Sequence, residues 1–283
     1  MINSEIENIE ISLLLEATYN RYGYDFRDYA RASIERRVRQ FAIKSGIKSI
    51  SEMIPILLYN ESFFQTLVRE FSITVTEMFR DPKVYHVLKE KVFPILKTYP
   101  FIKIWHAGCA TGEEVYSLAI LLMEAGLYKK STIFATDFND EALATAKQGI
   151  YPTENIKQST LNYQKAGGLE SFSDYYHAKY DSISIDNKLK KNITFANHNL
   201  VIDQTFSEMH LILCRNVLIY FNKTLQDKVF YLFDNSLVSG GFLCLGSKES
   251  LLYSGIQGKF EPVDEKEKIY QKTYLGNRIY KTK

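Results

Sequence analysis

A short stretch of the sequence, WHAGCATGEEVYS (residues 105–117), combines two glycines with two adjacent acids. The apolar run FIKIW leads into it, and SLAILLMEAG, which has helical spacing, comes after it. A strand, a glycine-containing turn and a helix are typical of a nucleotide-binding loop. However, the stretch matches neither GxGxxG nor GxxxxGK(S/T), and it carries Glu113 and Glu114 where a phosphate site would carry lysine. Because carboxylates repel a pyrophosphate, the turn favours a ligand with an ammonium or another donor group.

A third acid follows the next predicted strand. Asp137, in STIFATDF, lies about twenty-five residues beyond the glycine turn, where a carboxylate can accept from both hydroxyls of a ribose. A ligand with a ribose and a cationic amino-acid tail but no phosphate suits both places, which points to S-adenosylmethionine rather than NAD or ATP. Either glutamate alone is explained as a favourable charge at a helix N-terminus. The combination of Glu114 and Asp137 with Gly108 and Gly112 favours the ligand.

Strands and helices alternate from about residue 100 onward. The runs FIKIWHAG, STIFATDF, NITFANHN, MHLILCRN and GGFLCLG are short and β-rich, and helical patterns lie between most of them. We therefore predict an α/β fold with a doubly wound, mainly parallel sheet. Ligands of such sheets bind beyond the carboxyl ends of the strands, so the candidates follow each run: residues 107–114, Asp137, Asn199, and Arg215 with Asn216.

The pattern divides the chain into three parts. Residues 1–80 have helical spacing throughout, residues 81–99 are predicted to form a connecting helix, and residues 100–283 are predicted to form the α/β domain. About residues 160–195, rich in Tyr, Ser, Asp and Gly, interrupt the alternation. Extra strands at the edge of the sheet and a surface excursion with one helix explain this segment equally well.

The composition restricts the classes of partner. Lys and Arg total 35 against 33 Asp and Glu, so the formal charge of +2 gives no reason to expect nucleic acid. Cys109, Cys214 and Cys244 are far apart and odd in number, and we expect neither disulfides nor a metal. The N-terminus lacks the apolar segment of a secretory signal, and LILCRNVLIYF is too short to span a bilayer. We expect a cytoplasmic protein without membrane insertion, and a monomer, because no oligomerisation element is evident.

The turn WHAGCATGEEVYSLAI resembles the glycine motif of the chemotaxis-receptor methyltransferases, the CheR family, which usually reads GCSTGEEPYS. Further motifs of that family are similar to ITVTEMFRD, FATDFNDEALATAKQGIY, FANHNLV, ILCRNVLIYFNKTLQ and LCLGSKESL, in this order, over about residues 15–273. The resemblance implies a class I (Rossmann-like) S-adenosylmethionine-dependent methyltransferase domain, an N-terminal all-helical receptor-docking domain and a small inserted β-subdomain. It also implies a protein-glutamate O-methyltransferase, which forms glutamyl methyl esters on chemoreceptor cytoplasmic domains and releases S-adenosylhomocysteine.

The site residues of the family carry over to the matching positions. Asp137 should hold the ribose, Glu114 should face the methionine-like end, and Arg80 and Tyr220 should lie nearest to the transferring methyl group as catalytic residues. Without the resemblance, a salt bridge to Asp81 or another acid explains Arg80, and half-buried packing explains Tyr220. Thr74 stands where the family often has asparagine, and threonine replaces only one of its hydrogen bonds. The implied cofactor contacts are Thr74, Thr76, Arg80, Gly108, Glu114, Asp137, Asn199, Leu200, Asn216 and Val217, with Asn199 and Leu200 beside the adenine.

One helix of the N-terminal region, RASIERRVRQFAIKSG, is basic on one side. Its apolar residues share a face, and Arg36, Arg37 and Arg39 lie on the flank and the opposite side. A solvated surface explains such a face. Since receptor methylation regions are helical bundles rich in Glu and Gln, the resemblance implies instead a docking site for the methyl-accepting chemoreceptor. The alternative function is a non-catalytic adaptor that binds S-adenosylmethionine or S-adenosylhomocysteine in a receptor complex.

Overall fold

The computed structural model describes residues 2–72, 74–205 and 208–274, and of residues 2–4 the backbone alone. The chain forms two compact units: Met1–Ile73 with Leu218–Lys228, here called the helical unit, and Thr74–Val217 with Val229–Lys283, here called the sheet unit. The helices are α1 (Ile2–Tyr22), α2 (Arg31–Lys44), α3 (Met53–Tyr59), α4 (Glu61–Phe71), α5 (Pro82–Val87), α6 (Phe93–Leu96), α7 (Glu113–Glu124), α8 (Asp140–Gln148), α9 (Ile156–Lys165) and α10 (Lys223–Ser236). The strands are β1 (Ile102–Ala107), β2 (Ser131–Asp137), β3 (Ile150–Pro152), β4 (Tyr176–Lys179), β5 (Ser182–Ile185), β6 (Ile193–Asn197), β7 (Met209–Cys214), β8 (Leu237–Leu245), β9 (Phe260–Asp264) and β10 (Ile269–Lys272).

Apolar spacing builds the helical unit. In α2, Ile34, Val38 and Phe41 are buried, as their positions on one face predict. At the start of α4, the Asn60 side chain accepts a hydrogen bond from the Phe63 amide and so satisfies a donor of the first turn. These helices are therefore determined by residues that are close together in the sequence.

The segment Leu218–Lys228 belongs to the helical unit although it follows β7 in the chain. Tyr29 pairs with Phe221 in an antiparallel bridge, and their rings meet edge to face with centroids 4.9 Å apart. The Ala30 amide donates to the Tyr220 carbonyl oxygen at 2.7 Å. Tyr220 thus lies in the helical unit, a placement that local sequence pattern does not indicate.

Within the described residues, the sheet unit is built on a seven-stranded sheet of order β6-β2-β1-β7-β8-β10-β9. The first five strands run parallel to their neighbours, whereas β10 is antiparallel to β8 and β9. Strand β7 is buried along its whole length, as expected for a central parallel strand covered on both faces. The predicted α/β fold with a mainly parallel sheet is confirmed, and the carboxyl ends of the five parallel strands share one edge.

The segment between α8 and β6 contains both a helix and strands. Helix α9 comes first, and β4 and β5 then form an antiparallel hairpin whose second strand pairs with β3. These three strands form a sheet of their own, of order β3-β5-β4, rather than extending the main sheet, which ends on this side with β6. Tyr163, Phe172 and Tyr175 are buried in the same core as the main sheet, so the small sheet packs as part of its unit.

Neither a membrane-spanning helix nor a metal site occurs in the part of the chain that the structure describes. None of the described helices could span a bilayer. No group of His, Cys, Asp and Glu side chains in the described residues is placed to hold a metal ion. Cys109, Cys214 and Cys244 are buried free thiols, and burial raises the pKa of each above its usual value. Their thiols are therefore inert packing groups.

Candidate functional site

The glycine turn that follows β1 is folded tightly against β2. The amides of Gly108 and Cys109 both donate to the Thr136 carbonyl oxygen, at 2.8 and 2.9 Å. Gly108 has a φ of +81°, and a Cβ there would lie 2.5 Å from Cγ2 of Val217. Glycine is therefore required both by the backbone conformation and by the close approach of Val217, which follows β7. This contact brings two predicted cofactor residues together at the carboxyl edge of the sheet.

Asp137 lies at the end of β2, beside the same turn. One of its carboxylate oxygens accepts from the Ala110 amide at 2.9 Å and the other from the Asn139 amide at 3.0 Å. Burial raises the pKa of Asp137, and these backbone donors oppose that increase. Each carboxylate oxygen has a further lone pair, so the group can still accept from the hydroxyls of a ribose.

Glu114, in the first turn of α7, is part of a buried ion network. Its carboxylate accepts from Nη1 of Arg215 at 2.8 Å and lies 3.2 Å from Nδ1 of His106. Burial raises the pKa of Glu114, but Arg215 and then His106 outweigh it, so the pKa lies below its usual value. Glu114 is therefore ionised, and Arg215 already balances its charge. The sequence placed Arg215 after a strand but gave no reason to pair it with Glu114.

Arg215 also connects to the segment that carries Arg80. Its Nη2 donates to the Asp81 carboxylate at 2.8 Å, and its Nη1 reaches the Arg80 carbonyl oxygen at 3.3 Å. The side chain of Arg215 is 1% exposed and so is shielded from water, whereas the Asp81 side chain that it binds is 42% exposed. The Asp81 carboxylate, an expected partner of Arg80, is thus bound to Arg215.

The backbone on either side of Arg80 has an unusual conformation. Phe79 and Asp81 both have a φ of +54°, which costs a non-glycine residue about 1–3 kcal/mol. The Phe79 amide donates to the Ser117 hydroxyl at 2.8 Å, and its ring is fully buried. Asp81 is held by Arg215. Both neighbours of Arg80 are therefore fixed, while its own side chain, which donates to the Val75 carbonyl oxygen at 3.3 Å, stays half-exposed.

A residue that the sequence analysis missed, Glu249, positions the loop after β7. Its carboxylate accepts from the amides of Asn216 at 3.1 Å, Val217 at 2.8 Å and Gly246 at 2.6 Å. Asn216 has a φ of +61°, a conformation that asparagine tolerates better than most residues. Glu249 thus joins the loops that follow β7 and β8. An acid a few residues after the apolar run FLCL was the available signal.

The remaining predicted residues are placed as follows. Asn199 and Leu200 follow β6, the strand that pairs with β2, and both are buried. The Asn199 side chain accepts a hydrogen bond from the Val201 amide at 3.0 Å. Thr74 and Thr76 are half-buried at the start of the sheet unit. Gly108, Glu114, Asp137, Asn216 and Val217 meet at the carboxyl edge, whereas Tyr220 lies in the helical unit.

The chemistry of this edge fits S-adenosylmethionine. It offers a buried carboxylate with unused lone pairs at Asp137, an ionised acid at Glu114, and an apolar side chain at Leu200. These suit a ribose, an amino-acid tail and an adenine, respectively. The turn itself carries acids in place of a phosphate-binding lysine, which is expected for a cofactor without phosphate.

Residues 74–269 match the family described as CheR methyltransferase, SAM binding domain, and residues 9–72 match CheR methyltransferase, all-alpha domain. The chain is 45% identical over 273 residues to the putative methyltransferase Cher3 of Pseudomonas putida KT2440, which covers 96% of this chain and 100% of that protein. It is 30% identical over 265 residues to a chemotaxis protein methyltransferase of Borreliella burgdorferi, covering 88% of this chain and 91% of that protein.

Replacing Asp137 by Asn should weaken the binding of S-adenosylhomocysteine about 10- to 100-fold, because a charged acceptor for the ribose is lost. Titration calorimetry measures this change. Asp186→Asn is the matched control, since Asp186 also accepts from a backbone amide, that of Lys188, but lies beside the small sheet. Unchanged affinity of Asp137→Asn would contradict the ribose assignment.

Replacing Arg215 by Met should lower the free energy of unfolding by about 3–5 kcal/mol, because it leaves the Glu114 carboxylate buried without its cation. Urea unfolding followed by circular dichroism gives the value. The double variant Arg215→Met with Glu114→Gln should recover part of the loss, since the uncompensated charge is then absent. A double variant that is less stable by the sum of the two single losses would refute the coupling of these residues.

Proposed function

The chain belongs to the CheR methyltransferase family, and from that premise we propose that it is a protein-glutamate O-methyltransferase acting on the cytoplasmic helical bundles of chemoreceptors. Family membership makes it an S-adenosylmethionine-dependent methyltransferase of chemotaxis. The glutamate as acceptor and the roles of individual residues are the parts that we propose.

The observation that carries the proposal is the fixed backbone of Arg80 beside a cofactor site. Phe79 and Asp81 hold Arg80 in place from both sides, and Arg215 binds its carbonyl oxygen. A guanidinium at such a position can hold an incoming carboxylate with two parallel hydrogen bonds. Holding the acceptor in line with the methyl group is the main requirement of the reaction, and positioning of this kind contributes up to several kcal/mol.

The reaction needs no acid or base from the protein. A glutamate side chain has a usual pKa of about 4.3, so at neutral pH it is already an ionised nucleophile. When bound, S-adenosylmethionine supplies an electrophilic methyl group on a positively charged sulfur. A carboxylate oxygen forms the new bond to carbon as the carbon–sulfur bond breaks, and no proton is transferred. In this scheme Asp137 and Glu114 hold the nucleoside and the amino-acid tail, and Arg80 orients the acceptor.

The proposal also assigns receptor docking to α2. Arg36 is exposed, and among the described residues its guanidinium has no ion pair. Arg39 is ion-paired with Glu7 and Glu35, and Arg37 is half-buried, where it donates to the Glu70 carbonyl oxygen. Of the three arginines, Arg36 is therefore the one whose charge is most accessible to an acidic partner.

Incubation with methyl-labelled S-adenosylmethionine and a chemoreceptor cytoplasmic fragment should label the receptor, and the label should be released by base, as expected for a methyl ester. Arg80→Ala should lower this transfer about 100-fold, because the acceptor is no longer oriented, while calorimetry shows nearly unchanged affinity for S-adenosylhomocysteine. Arg80→Lys keeps the charge but not the two-pronged geometry and should be intermediate.

Three outcomes contradict this account. A base-stable label would exclude a glutamyl ester. Cofactor binding without any transfer by the wild-type protein would support the non-catalytic adaptor. Near-normal turnover of Arg80→Ala would remove Arg80 from the catalytic site.

Replacing Arg36 by Glu should raise the Michaelis constant for the receptor about fivefold, because one exposed attraction is lost and a repulsion of similar size is added. The effect should shrink as salt is increased. Lys48→Glu makes the same change of charge at an exposed position outside α2 and serves as the control. Equal Michaelis constants for Arg36→Glu and the wild-type protein would exclude this docking site.

A further inference from the structure

The loop that follows β8, residues 246–255, is anchored at its start and at its end. At the start, Glu249 binds the amides of Asn216, Val217 and Gly246, as described above. The Leu251 side chain is buried, and so is Ile256 just beyond the loop. The loop therefore begins at the carboxyl edge of the sheet, directly beside residues of the cofactor site.

Between these anchors, two large apolar side chains face solvent. Leu252 is 52% exposed and Tyr253 is 81% exposed. Tyr253 also has a φ of +63°, the left-handed conformation in which glycine or asparagine would be less strained. Because most of its ring is in water, packing within the chain does not offset this cost. The folded structure thus gains little from a tyrosine at this position.

The backbone around Tyr253 is held by local hydrogen bonds. The Tyr253 amide donates to Oε1 of Gln257 at 2.8 Å, and the Leu252 amide donates to the Ser250 hydroxyl at 3.1 Å. The Ser254 amide donates to the Leu251 carbonyl oxygen at 3.0 Å. The two apolar side chains are therefore presented on an ordered loop, so a partner that binds them has little backbone entropy to remove.

The same loop also carries a positive charge. Lys248, in the same loop, is exposed. A loop that exposes a lysine, a leucine and a tyrosine suits a helix that carries acids beside apolar residues. A protein whose glutamates are methylated offers acids of this kind, and tyrosine is among the side chains that contribute most to interfaces.

We propose that Lys248, Leu252 and Tyr253, here called the β8-loop patch, form a contact surface for the methyl-accepting protein. The patch would bind an acidic amphipathic helix of the acceptor next to the cofactor edge, with Tyr253 and Leu252 covering its apolar side and Lys248 facing its acids. This inference rests on the proposed function, since it takes the acceptor to be a protein that carries glutamates.

The test uses Tyr253→Asn, which removes the ring and places a residue that favours the left-handed conformation. The variant should be at least as stable as the wild-type protein to heat, so misfolding does not confuse the result. With a receptor fragment that ends at the helical bundle, its Michaelis constant for the receptor should rise about fivefold or more. Its turnover at saturating receptor and its affinity for S-adenosylhomocysteine should not change.

Tyr180→Asn is the matched control. Tyr180 is 91% exposed with a φ of +51°, but it lies in the turn between β4 and β5. An unchanged Michaelis constant for both Tyr253→Asn and the double variant with Leu252→Ser would overturn the proposal. An equal rise in Tyr180→Asn would also overturn it, because the effect would then not belong to this patch.

If the wild-type protein transfers no methyl group, the proposed function fails and the patch is tested separately by calorimetry with the same receptor fragment. Weaker binding of Tyr253→Asn than of the wild-type protein and Tyr180→Asn supports the patch. Equal binding of all three, or no binding by any, overturns it.

Discussion

The rest of the site depends on the contacts of one buried guanidinium, that of Arg215. It binds Glu114 in the first turn of α7 and Asp81 at the start of α5, and it also reaches the Arg80 carbonyl oxygen. Both acids lie at helix N-termini, where negative charge is favourable. A buried ion pair adds little net stability, although removing one partner is costly. Arg215 is therefore best understood as a positioning residue, which holds the Glu114 carboxylate and the segment around Arg80 in a fixed arrangement.

Carboxylates also have a structural role at this edge of the sheet, because they accept hydrogen bonds from the backbone. Asp137 accepts from the amides of Ala110 and Asn139, and Glu249 accepts from three amides of the loops after β7 and β8. These acids therefore shape the turns at the carboxyl edge of the sheet. Because backbone amides already donate to both carboxylates, these turns are held in place by hydrogen bonds within the chain. Such preorganisation matters in a reaction that consists mainly of alignment.

The sequence predicts those features that depend on short-range pattern. The spacing of Ile34, Val38 and Phe41 identifies the buried face of α2, and alternating strands and helices predict the parallel sheet. The same rule about strand ends places Asp137 beside the glycine turn.

Features that depend on distant residues were not predictable. Glu114 and Arg215 are 101 positions apart, and the role of Glu249 depends on amides in another loop. Likewise, nothing local indicates that Leu218–Lys228 packs with the helical unit, or that β4 and β5 join β3 in a separate sheet. In each case the determining contact forms only after the chain has folded.

The most direct test of the central claim is a crystal structure of the protein with S-adenosylhomocysteine. We predict that the ribose hydroxyls donate to Asp137, that the amino-acid tail lies at Glu114 while Glu114 keeps its bond to Arg215, and that the sulfur faces the side chain of Arg80. A nucleoside bound away from Asp137, or a Glu114 that leaves Arg215 to receive the ligand, would contradict the account.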